Sequence, residues 1–353
     1  MKKKHIIYMD LMRVICIFLM VLVHVVATVN HDVPEQSLYW SILTSVQVAF
    51  HFPVPIFLMI SGALFLNPER NINIKKLYTR NIVRMLSALI FWAFAYAGYR
   101  FVKEYYFDGF SIHEVMKNIY NDEFVFGHYH LWYLYVIIGL YMFVPVIRKI
   151  TENKKTMEYF LLMAFIFCFV KNMLPIVPKI GYKVEMIVDK MQLEFVMGYT
   201  AYFVLGYYLH KFELTKKQKT RLYIAGLGCL VVSEVLTIGV FAKNPARNEF
   251  FYNQLIATEF IISAAAFVWA KDFLSKFDEN SKMVKMMLKI APLTFGMYLV
   301  HDFFIIVCNC LGFTAISFFP VIAAPVVTIV VFMCSLIATY LISKIPILNR
   351  YVM

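Results

Sequence analysis

Along this chain the apolar positions neither alternate nor recur only at every third and fourth residue; they run on. Ten stretches long enough to cross a membrane stand out, near residues 7–29, 40–66, 82–102, 131–147, 157–174, 194–210, 222–241, 252–270, 291–311 and 316–343. Crossing about 30 Å of hydrocarbon takes roughly 20 helical residues. Apolar runs of this length, rich in branched and aromatic side chains, are too long for buried strands. The connectors are short, the longest being residues 103–130. The pattern predicts an all-α polytopic bundle of about ten transmembrane helices. It forms one integral-membrane unit over residues 1–353, with no appended soluble domain.

Charge orients that bundle. If the ten spans alternate, 24 lysines and arginines fall on the side of the two termini and 9 on the other, with Arg13 inside the first span. The positive-inside rule then places both termini in the cytoplasm. The composition agrees with a membrane protein, at 61% hydrophobic and 16% charged residues and a mean hydropathy of +0.69. A soluble chain would carry about a quarter charged residues. The formal net charge of +12 does not point to nucleic acid, because the basic residues sit between apolar runs and form no stripe. The six cysteines lie inside apolar runs, where a thiol packs as a small hydrophobe. Three lysines before the first run imitate a signal peptide, but Asp10 and Arg13 interrupt it and further spans follow, so a retained helix is expected.

Ionisable groups inside spans cost about 2.5–3.5 kcal/mol each on insertion scales and therefore mark functional candidates. The first span holds Asp10, Arg13 and His24. Eleven residues at 100° each return Arg13 and His24 to one face, about 16 Å apart along the axis, and Asp10 falls on that face too. In the second span Pro53 and Pro55 each remove a backbone donor at mid-membrane depth. Broken backbone there is tolerated where it borders a cavity, which makes His51 a candidate lining residue. The ninth span places Tyr298 and His301 three residues apart on one face. The fourth opens with His128, His130, Trp132 and Tyr133 at the outer boundary, where Trp132 and Tyr133 read as ordinary interfacial anchors. No single segment carries a metal-ligand spacing, and no metal is expected. Lys75, Lys76, Arg80 and Arg84 cluster where the third helix begins. A helix N-terminus with such a cluster suits a phosphate-rich ligand, and equally suits anionic membrane lipid.

Taken in order, these segments resemble the acyltransferase-3 family of integral-membrane acyltransferases, which includes bacterial O-acetyltransferases of surface sugars. The resemblance is carried by Asp10-x-x-Arg13 followed after ten residues by His24. VPIFLMISG at 54–62, HLWYLY at 130–135, YFVLGYYL at 202–209 and FGMYLVH at 295–301 complete it. One position departs from the family pattern: Asn81 stands where the first of two arginines entering the third helix is expected. Arg84 keeps the second, and Arg80 is the adjacent substitute, about 100° round the helix.

The resemblance implies a cytoplasmic acyl-CoA donor, acetyl-CoA being the expectation, and an acceptor hydroxyl on an extracytoplasmic glycan or lipid-linked sugar. It implies a multi-pass protein of a bacterial inner or plasma membrane. An imidazole, whose ordinary pKa is about 6.5, takes a hydroxyl proton at neutral pH, so His24 is the expected general base or a transient acyl carrier. Arg13, paired with Asp10, would orient the donor or stabilise developing charge. Arg84, Arg80, Lys75 and Lys76 would hold the CoA phosphates, and His301 and Tyr298 would act as a second acid/base or positioning pair. The alternative from another class is a secondary transporter or exporter of a glycan or small metabolite. Broken helices and intramembrane His, Arg and Asp serve such proteins as well.

Overall fold

A computed structural model describes residues 6–124, 127–177, 180–193, 198–240, 242 and 249–353. Lys2 to Lys4, Lys179, Lys243 and Arg247 of the charge tally lie outside the described residues, as do positions 194–197 of the sixth predicted span. All regular structure among the described residues is helical. The helices that organise the bundle are α1 (Ile7–Ala27), α2 (Leu38–Ala49), α3 (Pro53–Phe65), α4 (Val83–Val102), α5 (Trp132–Thr151) and α6 (Lys154–Ala164). They continue with α7 (Thr200–Lys211), α8 (Lys216–Glu234), α9 (Ala257–Leu274), α10 (Thr294–Cys310) and α11 (Pro320–Ser343). Nine helical segments among the described residues are long and apolar enough to cross a membrane, and they match nine of the ten predicted runs. The sixth differs. Its described part, α7, has 12 residues, which at 1.5 Å per residue reach about 18 Å.

This segment packs closely against α3. A Cβ on Gly62 of α3 would lie 1.8 Å from the main-chain oxygen of Phe203 in α7. One on Gly206 would lie 2.0 Å from that of Met59. Small residues that let two backbones touch are the usual basis of helix association in lipid, where no hydrophobic drive separates helix from solvent. The motifs at 54–62 and 202–209 are therefore two halves of one contact, with Tyr202, Phe203 and Val204 fully buried. Gly62→Ala has to push the two helices apart. We expect a clear fall in the thermal midpoint of the detergent-solubilised protein, from an overpacking cost of about 1–3 kcal/mol or more. Gly98→Ala in α4, where an added Cβ meets nothing within 4 Å, serves as the control and leaves the midpoint unchanged or raised.

The prolines break the second span by starting a helix. α2 ends at Ala49, and Pro53 and Pro55 occupy the first turn of α3, where a missing N–H costs little. His51 sits in the gap. The third span is longer than predicted: α4 continues through π-helical turns at both ends into a run from Ile74 to Phe107.

The segments assigned to the inner face by charge meet one another. Tyr8 Oη and His210 Nδ1 are 2.7 Å apart, and Lys211 Nζ reaches Glu69 at 2.9 Å. Arg148 donates to the main-chain oxygen of Asn67 at 2.6 Å, and Lys271 Nζ pairs with Glu213 at 2.6 Å. At the opposite end, the last turn of α1, the gap before α3 and the start of α5 converge around a cavity. The N-terminal side of α7, at Tyr199, joins them there. Short as it is, α7 runs from this cavity to the inner face.

Candidate active site

The cavity has a volume of about 330 Å³. His24 and His51 line it together with the aromatic rings of Trp132, Tyr199 and Tyr252 and the amide of Asn253. Trp132 and Tyr199 lie with ring centroids 5.4 Å apart, and His51 stacks on Tyr252 at 6.0 Å. His51 Nδ1 is buried without a hydrogen-bond partner. His24 occupies the last turn of α1, nearer the outer end than a mid-span histidine.

The hydrogen bonds fix which nitrogen of His24 carries its proton. Tyr129 donates its phenolic proton to Asp302 Oδ1 at 2.6 Å. A phenol has one proton, so the contact between Tyr129 Oη and His24 Nδ1 at 3.1 Å requires the imidazole to donate. His24 is thus the Nδ1–H tautomer, and its Nε2 keeps a lone pair. The same reasoning applies to two other rings. His301 Nδ1 lies 2.7 Å from the main-chain oxygen of Tyr298 and must donate to it, which leaves Nε2 buried and without a partner. His128 Nε2 lies 2.7 Å from Asp302 Oδ2 and donates to that carboxylate. Asp302, 2% exposed, therefore accepts on both oxygens and orients two elements of the site.

The structure brings His24 and His301 together, with ring centroids 5.0 Å apart. Tyr298 joins them through its main chain, whereas its hydroxyl donates to the main-chain oxygen of His130 and so acts as a strut. Arg13 is not at this centre. It binds Asp10 at 2.7 Å, three helical turns below His24, as a local ion pair. Between the two levels stand Ser61, Tyr133 and Tyr141. Both phenols interact with the Ser61 hydroxyl and with the Arg13 charge, and Tyr133 packs against Tyr298 at 5.6 Å. Arg84 also acts on Tyr141, lies over the Phe295 ring at 5.8 Å and donates to the main-chain oxygen of Met353. A line of polar aromatic groups thus runs from Arg84, at the end where the basic connectors gather, toward His24 at the cavity.

Lys75, Lys76 and Arg80 are exposed on the inner extension that precedes α4. Its N-terminus is partly satisfied by Asn73, whose side chain accepts from the Lys76 amide at 3.0 Å. Arg80 is close enough to Arg84 for their charges to repel. Asn81 is half-buried.

The sequence reading passed over Asp302 and Tyr129. Asp302 carried a usable signal, a carboxylate inside an apolar span next to His301. Tyr129 carried none, because an aromatic at a membrane boundary is ordinary. The two histidines that open the fourth span also belong to this centre: His128 bonds Asp302, and His130 is 1% exposed and packs 5.1 Å from His301.

A family model described as an acyltransferase domain matches residues 6–344. The chain belongs to the acyltransferase-3 family. No curated protein and no solved structure matches it. Membership makes this a multi-pass membrane acyltransferase and sets it with acyl-transferring enzymes, not with secondary transporters. The acyltransferase-family match covers every residue of the His24–Tyr129–Asp302 relay and the inner basic cluster.

Proposed function

We propose that the protein is an O-acyltransferase of a bacterial inner or plasma membrane. It moves an acyl group, acetyl in the simplest case, from cytoplasmic acyl-CoA to a hydroxyl of an extracytoplasmic glycan or lipid-linked sugar. The observation that carries this reading is the relay from Asp302 through Tyr129 to His24 Nδ1, which leaves a basic Nε2 on a residue that lines the outer cavity.

The chemistry follows from that tautomer. The acceptor hydroxyl gives its proton to His24 Nε2 as its oxygen attacks the thioester carbonyl. The tetrahedral intermediate then collapses, expelling the CoA thiolate, which recovers the proton from the imidazolium. His24 is thus base and then acid, and the Tyr129–Asp302 pair stabilises the transient positive charge. The aromatic rings of the cavity, with the neighbouring Asn253 amide, suit a sugar, whose C–H faces stack on rings while its hydroxyls need polar partners. Lys75, Lys76, Arg80 and Arg84 supply the charge for the CoA phosphates. Arg13, between that charge and His24 in α1, would orient the donor. On this reading Arg13 holds the donor and does not touch the acyl carbon.

The test is release of free thiol from acetyl-CoA by the purified protein in nanodiscs, with and without a cell-envelope acceptor fraction. Thiol release that rises with acceptor, together with radiolabelled acetyl recovered in that fraction, is the expected result. An envelope fraction that stays unlabelled, with acetyl-CoA unconsumed, would overturn the proposal.

A further inference from the structure

Beside the relay, and sharing its Asp302, lies a cluster whose two histidines the acyl-transfer chemistry above does not use. One nitrogen each of His128 and His130 and one carboxylate oxygen of Asp302 all lie within 4.8 Å of one another. The segment before α5 supplies the two histidines and α10 supplies the aspartate, so no single stretch of sequence displays the set. His130 is the telling member. It is 1% exposed, and neither of its ring nitrogens makes a hydrogen bond. Burying an imidazole without any partner costs the desolvation of both its polar nitrogens. The rings packed around it, among them Tyr96 at 5.2 Å, His128 at 5.3 Å, Tyr298 at 5.6 Å and His301 at 5.1 Å, make no hydrogen bond to its nitrogens.

We infer that His128, His130 and Asp302 form a binding site for a divalent transition-metal ion of the zinc type. Two imidazoles and one carboxylate are the donor set that such an ion takes when three protein ligands leave a fourth position open. Metal–ligand bonds of about 2.0–2.2 Å put tetrahedral donors roughly 3.3–3.6 Å apart. His128 Nε2 and Asp302 Oδ2, now 2.7 Å apart across a proton, need to open by only a fraction of an ångström. The ion takes that proton's place as His128 changes tautomer and carries its proton on Nδ1, and His130 turns a free nitrogen onto the ion. Hard oxygen-seeking cations are disfavoured by the two nitrogens.

The surroundings fit as well. Asp302 Oδ1 already accepts from Tyr129 at 2.6 Å, the kind of outer hydrogen bond that orients a ligating carboxylate. The ring of Tyr96 covers His128 at 4.3 Å. Bound there, the ion would hold Asp302 ionised and immobile, and through Tyr129 would keep His24 in its Nδ1–H form. The binding site stands without the proposed reaction; only this last consequence rests on it.

The test uses the full chain in nanodiscs, without a polyhistidine tag, stripped with chelator and dialysed against Zn²⁺ or, as a spectroscopic probe, Co²⁺. Expected are about one retained Zn²⁺ per chain by mass spectrometry and a visible Co²⁺ ligand-field spectrum of low-symmetry, four- or five-coordinate type. His130→Ala should lose the stoichiometric ion, and Tyr129→Phe should keep it with affinity lowered by about 10-fold or more. Wild-type protein that retains no Zn²⁺ and gives only the pale spectrum of hydrated Co²⁺ overturns the inference whatever the variants do. So does retention that is equal in wild type and a folded His130→Ala protein. Metal content is read without turnover, so failure here is distinct from failure of the acyl-transfer assay.

Discussion

Replacing His24 by alanine is expected to abolish acyl transfer while the protein still inserts and folds. A positioned general base contributes about 10²–10⁴ to the rate, and here the same ring also returns the proton to the leaving thiolate, so thiol release should fall to within the assay background. Folding should survive, because His24 is half-buried at the last turn of α1 and faces a cavity, and alanine is a good helix former. The check is acceptor-dependent thiol release beside the size-exclusion profile of both proteins. A His24→Ala protein that turns over like wild type would remove His24 from the reaction altogether.

The second large effect belongs to Asp302→Asn, and its size comes from tautomer control. His128 Nε2–H is a donor, so it retains the amide oxygen as its acceptor. The amide nitrogen of the new residue then faces Tyr129 and donates to the phenol oxygen. The phenolic proton turns toward His24 Nδ1, which can accept it only by moving its own proton to Nε2. The base is then blocked at the atom that has to act. An Asp→Asn exchange behind a catalytic imidazole costs about 10⁴ in kcat where it locks in the wrong tautomer. A fall of about 10²–10⁴ in kcat, with the KM values for acyl-CoA and acceptor little altered, is expected here. Tyr129→Phe removes the relay without imposing the wrong tautomer and should cost less, about 10-fold, the scale of one lost hydrogen bond. Steady-state kinetics of both variants decide the matter. If the phenylalanine variant is the more damaged, the relay does not work through proton placement.

Those two predictions rest on residues that the sequence treated unequally. His24 is legible because a histidine within an apolar run is costly, and its 11-residue spacing from Arg13 recovers the shared face by helical arithmetic alone. His301 is legible for the same reason. Their contact is not, since α1 and α10 are some 280 positions apart in the chain and helical periodicity says nothing about which faces of two distant helices meet. Asp302 follows His301 directly, yet its weight comes from accepting hydrogen bonds on both oxygens, from His128 and from Tyr129, which arrive on another segment. Arg13 shows the converse: its spacing to Asp10 already contained the ion pair that the structure displays.

For the fold, the sequence determined the class, the approximate bounds of nine spans and the grouping of the inner-face segments. Each of these is set by interactions with the bilayer, which act on a residue through its own hydrophobicity and charge. The two prolines of the second span announced a break for an equally local reason, a missing N–H. The tertiary structure alone decided how the spans face one another: that α7 stays short and seats its glycine against Met59, that the broken helix turns His51 into the cavity, and that His24, Tyr129 and Asp302 form one hydrogen-bonded line. Lipid and helix interior are almost equally apolar, so hydrophobicity cannot rank alternative packings. That choice falls to steric fit between small residues and to the pairing of a few buried polar groups, and both depend on partners distant in the chain.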